Sequence, residues 1–262
     1  MTTNNTGSVL LERAGHIAYL TLNRPEALNA LDVPMSLAFL RACEELAADS
    51  SVRVVVLRGA GRAFGVGGDI HAMAKDPSGT ALTLLGNMNP ALELLAGIDA
   101  PVIASVHGVV AGGSLSMILG CDLAIAAEGT RFNMAYANIG ASVDLSCSWS
   151  LPRLVGLRKA MQIALLSETF DSAEAQDLGV VNLTVPAEAL GASTDALAAR
   201  IAKGPTLAYG RMKRLMRQSL DNTLSKQLKA EREEFLSLIN TLDFKEGLRA
   251  FIEKRQSNFT GT

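Results

Sequence analysis

Ala63-Phe64-Gly65-Val66-Gly67-Gly68-Asp69-Ile70 and His107-Gly108-Val109-Val110-Ala111-Gly112-Gly113-Ser114 are the two stretches on which the fold turns. Each is a glycine-rich turn following an apolar, strand-like run, and the second leads into a helix-like stretch. Glycine lets the backbone approach a ligand closely and point bare N–H groups at it. Two such N–H groups converging on one carbonyl oxygen form an oxyanion hole. A dinucleotide-binding turn is the nearest competitor, but neither stretch has the order Gly-x-Gly-x-x-Gly.

Outward from these turns, strand-like and helix-like segments alternate. Val9 to Leu22 alternates apolar and polar residues around a turn near Ala14-Gly15, which predicts two strands. Asp32 and Pro34 are an N-cap and a first-turn proline for a helix reaching Ala48. The run Val54-Val55-Val56-Leu57 predicts a buried strand over 52–59, and Pro101 to Val106 another. Helices are predicted over 80–97 and 113–119, a strand over 123–127, then helices over 156–166 and 172–178. After Glu188 the pattern is helical almost throughout, in segments near 188–203, 205–219, 223–240 and 243–255. The alternation argues for an α/β core with parallel sheet.

Composition narrows the function classes. The chain has 262 residues, 48% of them hydrophobic, enough for a sizeable core. A mean hydropathy of +0.23 suits a subunit that buries surface against copies of itself. The net charge of −2 gives no general pull toward nucleic acid or anionic membrane. No apolar run reaches the ~20 residues of a membrane-spanning helix. Met1 to Ser8 is polar and uncharged, unlike a signal or transit peptide. Cys43, Cys121 and Cys147 are far apart with no Cys-x-x-Cys spacing, which reads as reduced thiols in a cytoplasmic protein. No His, Cys and carboxylate cluster has metal-ligand spacing.

The paired glycine turns, with Leu22-Asn23-Arg24-Pro25-Glu26-Ala27-Leu28-Asn29-Ala30-Leu31 before them and Glu253-Lys254-Arg255-Gln256-Ser257-Asn258-Phe259 at the end, resemble the crotonase superfamily of enoyl-CoA hydratases and isomerases. The resemblance runs from about Val9 to Phe259. It implies an α/β core built as a spiral of β-β-α turns over residues 1–187, carrying the acyl-CoA site. A C-terminal helical region over 188–262 would make a homotrimer or a dimer of trimers. It implies a coenzyme A thioester as substrate, so that coenzyme A enters with the substrate and no separate cofactor is needed. It makes the backbone N–H groups of Gly68 and Gly113 the oxyanion-hole donors. The backbone around Glu26, Ala27 and Leu28, and along Val66, Gly67, Asp69, Ile70 and His71, would hold the adenine and pantetheine parts. Asp69 also suits a structural role, accepting N–H bonds that fix the turn. His71 reads as a rim residue, His107 as structural and His16 as exposed.

The resemblance places the first hydratase glutamate at Ser116 and the second at Tyr136, and neither residue is a base near neutral pH. One carboxylate remains in the segment, Asp144, in Ile139-Gly140-Ala141-Ser142-Val143-Asp144-Leu145-Ser146. Isomerase members carry Pro-Asp-Gly-Gly there, followed in several by an aromatic and Leu-Pro-Arg-Leu-Val-Gly. This chain has Trp149 and Leu151-Pro152-Arg153-Leu154-Val155-Gly156. One carboxylate suffices to move a proton along an allylic system. An apolar wall of Val143, Leu145 and Trp149 would raise its pKa and strengthen it as a base. The alternative role for Asp144 is to cap the helix containing Trp149. Tyr136 either orients substrate or packs beside Phe132, and Ser116 opens space on its helix. The acyl pocket is expected from Leu82 to Met88 and from Ser142 to Trp149.

The expected activity is therefore isomerisation of an enoyl-CoA, or of an aryl-acetyl-type thioester, through a stabilised enolate. The alternatives are an acyl-CoA-binding protein without turnover and a hydratase with atypical catalytic groups. Dehalogenation, as in 4-chlorobenzoyl-CoA dehalogenase, needs a histidine near Asn89, and none lies between His71 and His107.

Overall fold

The computed structural model describes residues 7–262, so most of the Met1–Ser8 segment discussed above lies outside it. Along the chain run β1 (Val9–Ala14), β2 (Ile17–Leu22), α1 (Val33–Ala48), β3 (Val54–Gly59), α2 (Ile70–Lys75), α3 (Pro77–Gly97), β4 (Val102–Val106), β5 (Val109–Ala111) and α4 (Gly113–Leu119). Next come β6 (Leu123–Ala127), β7 (Arg131–Asn133), α5 (Cys147–Val155), α6 (Leu157–Leu166), β8 (Phe170–Asp171), α7 (Ser172–Asp177) and β9 (Leu183–Val185). The chain closes with α8 (Leu190–Ala202), α9 (Thr206–Ser219), α10 (Leu224–Leu238) and α11 (Leu242–Glu253).

The main sheet has the order β1-β2-β3-β4-β6-β9, and a small sheet has the order β5-β7-β8. The β1–β2 hairpin is antiparallel, and every later pairing in the main sheet is parallel. Both faces of β3 are covered, which is why its sequence is apolar without alternation. Val55 and Leu57 face the large core under α1 and α3, while Val54 and Val56 pack with Ile103 against Ala198 and Ile201 of α8. The helices follow their local signals. Asp32 Oδ1 accepts the Met35 N–H at 2.8 Å, and Met35, Phe39, Cys43 and Leu46 form the buried stripe of α1. α3 begins at Pro77 rather than at the expected Thr80, because Asp76 caps it and Pro77 takes its first position. Among the described residues no helix is long and apolar enough to cross a membrane.

Parallel pairing brings the two glycine turns together. β3 and β4 are neighbours running the same way, so the turns that follow them leave from the same edge of the sheet. Phe64 N–H donates to His107 O at 2.9 Å, and Ala111 N–H donates to Gly65 O at 3.0 Å. The short strands of the small sheet lie beyond this junction, where Phe132 stacks on Phe170 with ring centroids 5.4 Å apart.

Candidate active site

The turns pack backbone against backbone. A Cβ on Gly67 would lie 2.9 Å from Gly113 N and 3.1 Å from Ala111 O, so only glycine fits there, and its φ of +86° favours glycine as well. Ser114 Oγ accepts the Gly67 N–H at 3.0 Å and ties the first turn to the start of α4. Asp69 N–H donates to Leu31 O, and Leu31 N–H to Gly67 O, which aims the intervening Gly68 N–H away from that bridge. Among the described residues nothing accepts from Gly68 N–H or Gly113 N–H. Two unpartnered donors at one junction are what an oxyanion needs.

The loop over 25–31 leans on the first turn. Asn29 has a buried side chain that donates to Ala60 O, Ala63 O and Phe64 O. Arg24 pairs with Asp32 at 3.0 Å and with Asp69 at 3.4 Å, and Arg24 Nη1 donates to Ala30 O at 2.6 Å. Asp69 Oδ1 caps α2 through Ala72 N–H at 3.1 Å. That backbone bond, with help from Arg24, holds the Asp69 carboxyl below its ordinary pKa. Glu26 and His71 are exposed, Ile70 is half exposed, and Ala27, Leu28 and Val66 are partly buried around the same loop.

Ser116, Tyr136 and Asp144 form one hydrogen-bonded chain. Ser116 Oγ lies 3.0 Å from Tyr136 Oη, and Tyr136 Oη donates to Asp144 Oδ1 in a short bond. Burial pushes the Asp144 carboxyl pKa above the ordinary carboxylate range, and the Tyr136 bond pulls it partly back. Burial and the Asp144 charge push the Tyr136 hydroxyl upward, so it stays protonated and remains a donor. A Cβ on Gly113 would sit 3.7 Å from Tyr136 Oη and 3.1 Å from Leu145 Cδ1, so the free amide adjoins the chain. On its other side Asp144 opens onto a cavity of about 650 Å³ whose wall includes Leu85, Asn89, Leu92, Met117 and Trp149. Of the expected stretch over 82–88 Leu85 lines the pocket, and α3 extends the wall beyond it from Asn89 to Ala96. Leu82 is 77% exposed and Met88 is fully buried.

A sequence profile of the family described as enoyl-CoA hydratase/isomerase matches residues 12–262. The chain belongs to this family. It is 35% identical over 246 residues to the 1,2-epoxyphenylacetyl-CoA isomerase of Escherichia coli (strain K12), covering 92% of this chain and 94% of the relative. It is equally, 35%, identical over 245 residues to a protein of Rhodobacter capsulatus named as a probable enoyl-CoA hydratase, covering 94% of this chain and 95% of that one. The crystal structure of an enoyl-CoA hydratase subunit from Geobacillus kaustophilus HTA426 superposes with a TM-score of 0.90 at 34% identity, covering 97% and 98% of the two chains. The crotonase fold follows from these matches.

Within this enoyl-CoA hydratase/isomerase framework, the turn after Asp144 is left-handed at two residues, neither of them glycine. Leu145 and Ser146, at the places where the resembling isomerases carry Gly-Gly, have φ of +48° and +70°. The left-handed conformation costs a non-glycine residue roughly 1–2 kcal/mol, and here buried Leu145, packed over Gly113, accompanies it. Asp144 does not cap α5: Ser146 occupies the cap position, and the Asp144 side chain is committed to Tyr136. Sequence reasoning missed the roles of Arg24, Asn29 and Ser114. The first two lie inside the quoted 22–31 stretch, but their partners lie up to 45 residues away and left no local signal.

Proposed function

We propose that this enzyme isomerises an enoyl-CoA, or an aryl-acetyl-type thioester, by moving one proton through an enolate, with Asp144 as the base. The observation that carries this is the Asp144 carboxylate itself: it is raised in pKa by burial, held on one oxygen by Tyr136, and open to the cavity on its other side. Asp144 Oδ2 takes the proton from one end of the allylic system. The C–H electron pair moves through the conjugated chain onto the thioester oxygen. The N–H groups of Gly68 and Gly113 stabilise that oxyanion, each by about 3 kcal/mol. Asp144 exchanges the proton it holds with solvent and returns a proton to the other end, which restores the carbonyl. Two-carboxylate hydration would need a second acid–base group beside Asp144, and the hydroxyls at 116 and 136 are not bases at neutral pH.

Relatives named as isomerase and as hydratase are equally similar, so the choice of reaction rests on the chemistry of the site. Coenzyme A is bound as part of the substrate, by main-chain contacts from Glu26 to Leu28 and from Val66 to His71. The subunits assemble as a homotrimer or two stacked trimers, supported by apolar side chains left exposed on α9 and α11.

Asp144→Asn tests the assignment. The amide keeps the shape but cannot take the proton, so solvent deuterium incorporation into a 3-enoyl-CoA should fall ~10²–10⁴-fold with the melting temperature and coenzyme A affinity retained. Unchanged exchange would remove Asp144 from the mechanism. Absence of exchange in the wild type with every thioester would instead leave an acyl-CoA-binding protein.

A further inference from the structure

The cavity beside Asp144 has a second polar end. Past the Trp149 ring and the Gly120–Cys121 backbone it meets the side chain of Arg217, from α9. Arg217 Nη2 donates to Gly120 O and to Asp122 Oδ1, both at 2.8 Å. Asp122 Oδ2 already accepts from Lys213 Nζ at 2.9 Å and from Val102 N–H at 2.8 Å. Two cations therefore share one carboxylate, and the cluster keeps one uncompensated positive charge. Lys213 is buried, and its three donors go to Leu95 O, Ala100 O and Asp122. Arg217 is different. Of the five N–H donors of a guanidinium, the two on Nη2 are taken. Among the described residues nothing accepts from Nε or Nη1, and neither nitrogen is sealed from solvent.

The route from Asp144 to this charge is short. Ser146, two residues after Asp144, places its Oγ 3.6 Å from where a Cβ on Gly120 would stand, and Gly120 carries the carbonyl that Arg217 holds. An alkyl tail ending here would put hydrocarbon against a surplus charge and strip its water, which is unfavourable. A carboxylate would accept a free donor of Arg217 in a charge-assisted bond. The other carboxylate at this cavity, Glu93, stands on an exposed face of α3, where water screens it. We propose that Arg217 receives the terminal carboxylate of an ω-carboxyacyl thioester, so that the acyl group spans the cavity from Asp144 to α9.

The subsite presupposes the acyl-CoA site proposed above, and the test separates the two. Binding of two saturated thioesters is measured by calorimetry, the six-carbon ω-carboxyacyl-CoA and hexanoyl-CoA, neither of which can react by allylic proton transfer. The wild type should prefer the ω-carboxylate by about 10-fold or more, Arg217→Met should bring the ratio near one, and Arg217→Lys should restore part of it. Equal binding by the wild type, or a preference for hexanoyl-CoA, overturns the subsite and leaves the acyl-CoA site standing. Binding of neither thioester overturns both. If Arg217 only pairs Asp122, the Met variant melts earlier and the wild-type ratio is already one. The wild-type ratio therefore decides even if that variant fails to fold.

Discussion

Tyr136 divides its hydroxyl between Ser116 and Asp144, and that division sets the pH at which Asp144 can act. A base works only when ionised, so kcat/KM should fall as pH drops through the Asp144 pKa. Burial places that pKa above the ordinary value of about 3.9, and the Tyr136 bond is the influence that lowers it. Tyr136→Phe removes the lowering influence, so the acidic limb of the pH–rate profile should move to higher pH. It should also leave Ser116 short of a partner, at a cost of about 1–3 kcal/mol in stability. A limb that stays in place or moves to lower pH would show that Tyr136 does not govern the base. Each of Ser116, Tyr136 and Asp144 stands out in the sequence, two of them by what they replace. Their contact does not, because the bond from Ser116 to Tyr136 spans 20 residues and depends on how α4 meets the following loop. Arg217 was invisible for a stronger version of that reason: it is an ordinary cation on an amphipathic helix until the fold brings it to Asp122, 95 residues earlier.

The two glycine turns act as one element. Gly67 is the point of contact between them, and Gly67→Ala would press a methyl group onto the Gly113 amide while forcing a non-glycine residue to φ near +86°. The backbone term alone is roughly 1–2 kcal/mol. Because the shift falls on a proposed oxyanion donor, turnover should drop by about 10²-fold or more. Circular dichroism beside steady-state kinetics checks this, and a folded variant with wild-type turnover would contradict the role of the junction. The turns were legible because strand, glycine and helix follow one another in the chain. α2 was not, since six residues are too few to show a helical period. Nor was the small sheet, whose strands run to three residues at most.

At the scale of the molecule, the C-terminal helices carry apolar side chains that the single chain does not cover. Phe251 is 85% exposed and Ile252 78%. Phe251→Asp touches no core residue and should leave the fold intact while lowering the assembly state by light scattering. A wild-type monomer would refute the proposed trimer. Removing 243–262 would be a poorer test, because the buried Arg53 donates from Nη1 to Phe259 O at 3.1 Å, so the tail is part of the core's fastening. The cover that α8 gives the sheet also has a temporal side. Val54, Val56 and Ile103 form an apolar face whose partners, Ala198 and Ile201, are encoded 95 or more residues after Ile103. A ribosome adding about 5–20 residues per second needs roughly 5–20 s to make that stretch. For that interval the nascent sheet presents a bare, greasy side to the cell, a target for chaperones and for other unfinished chains.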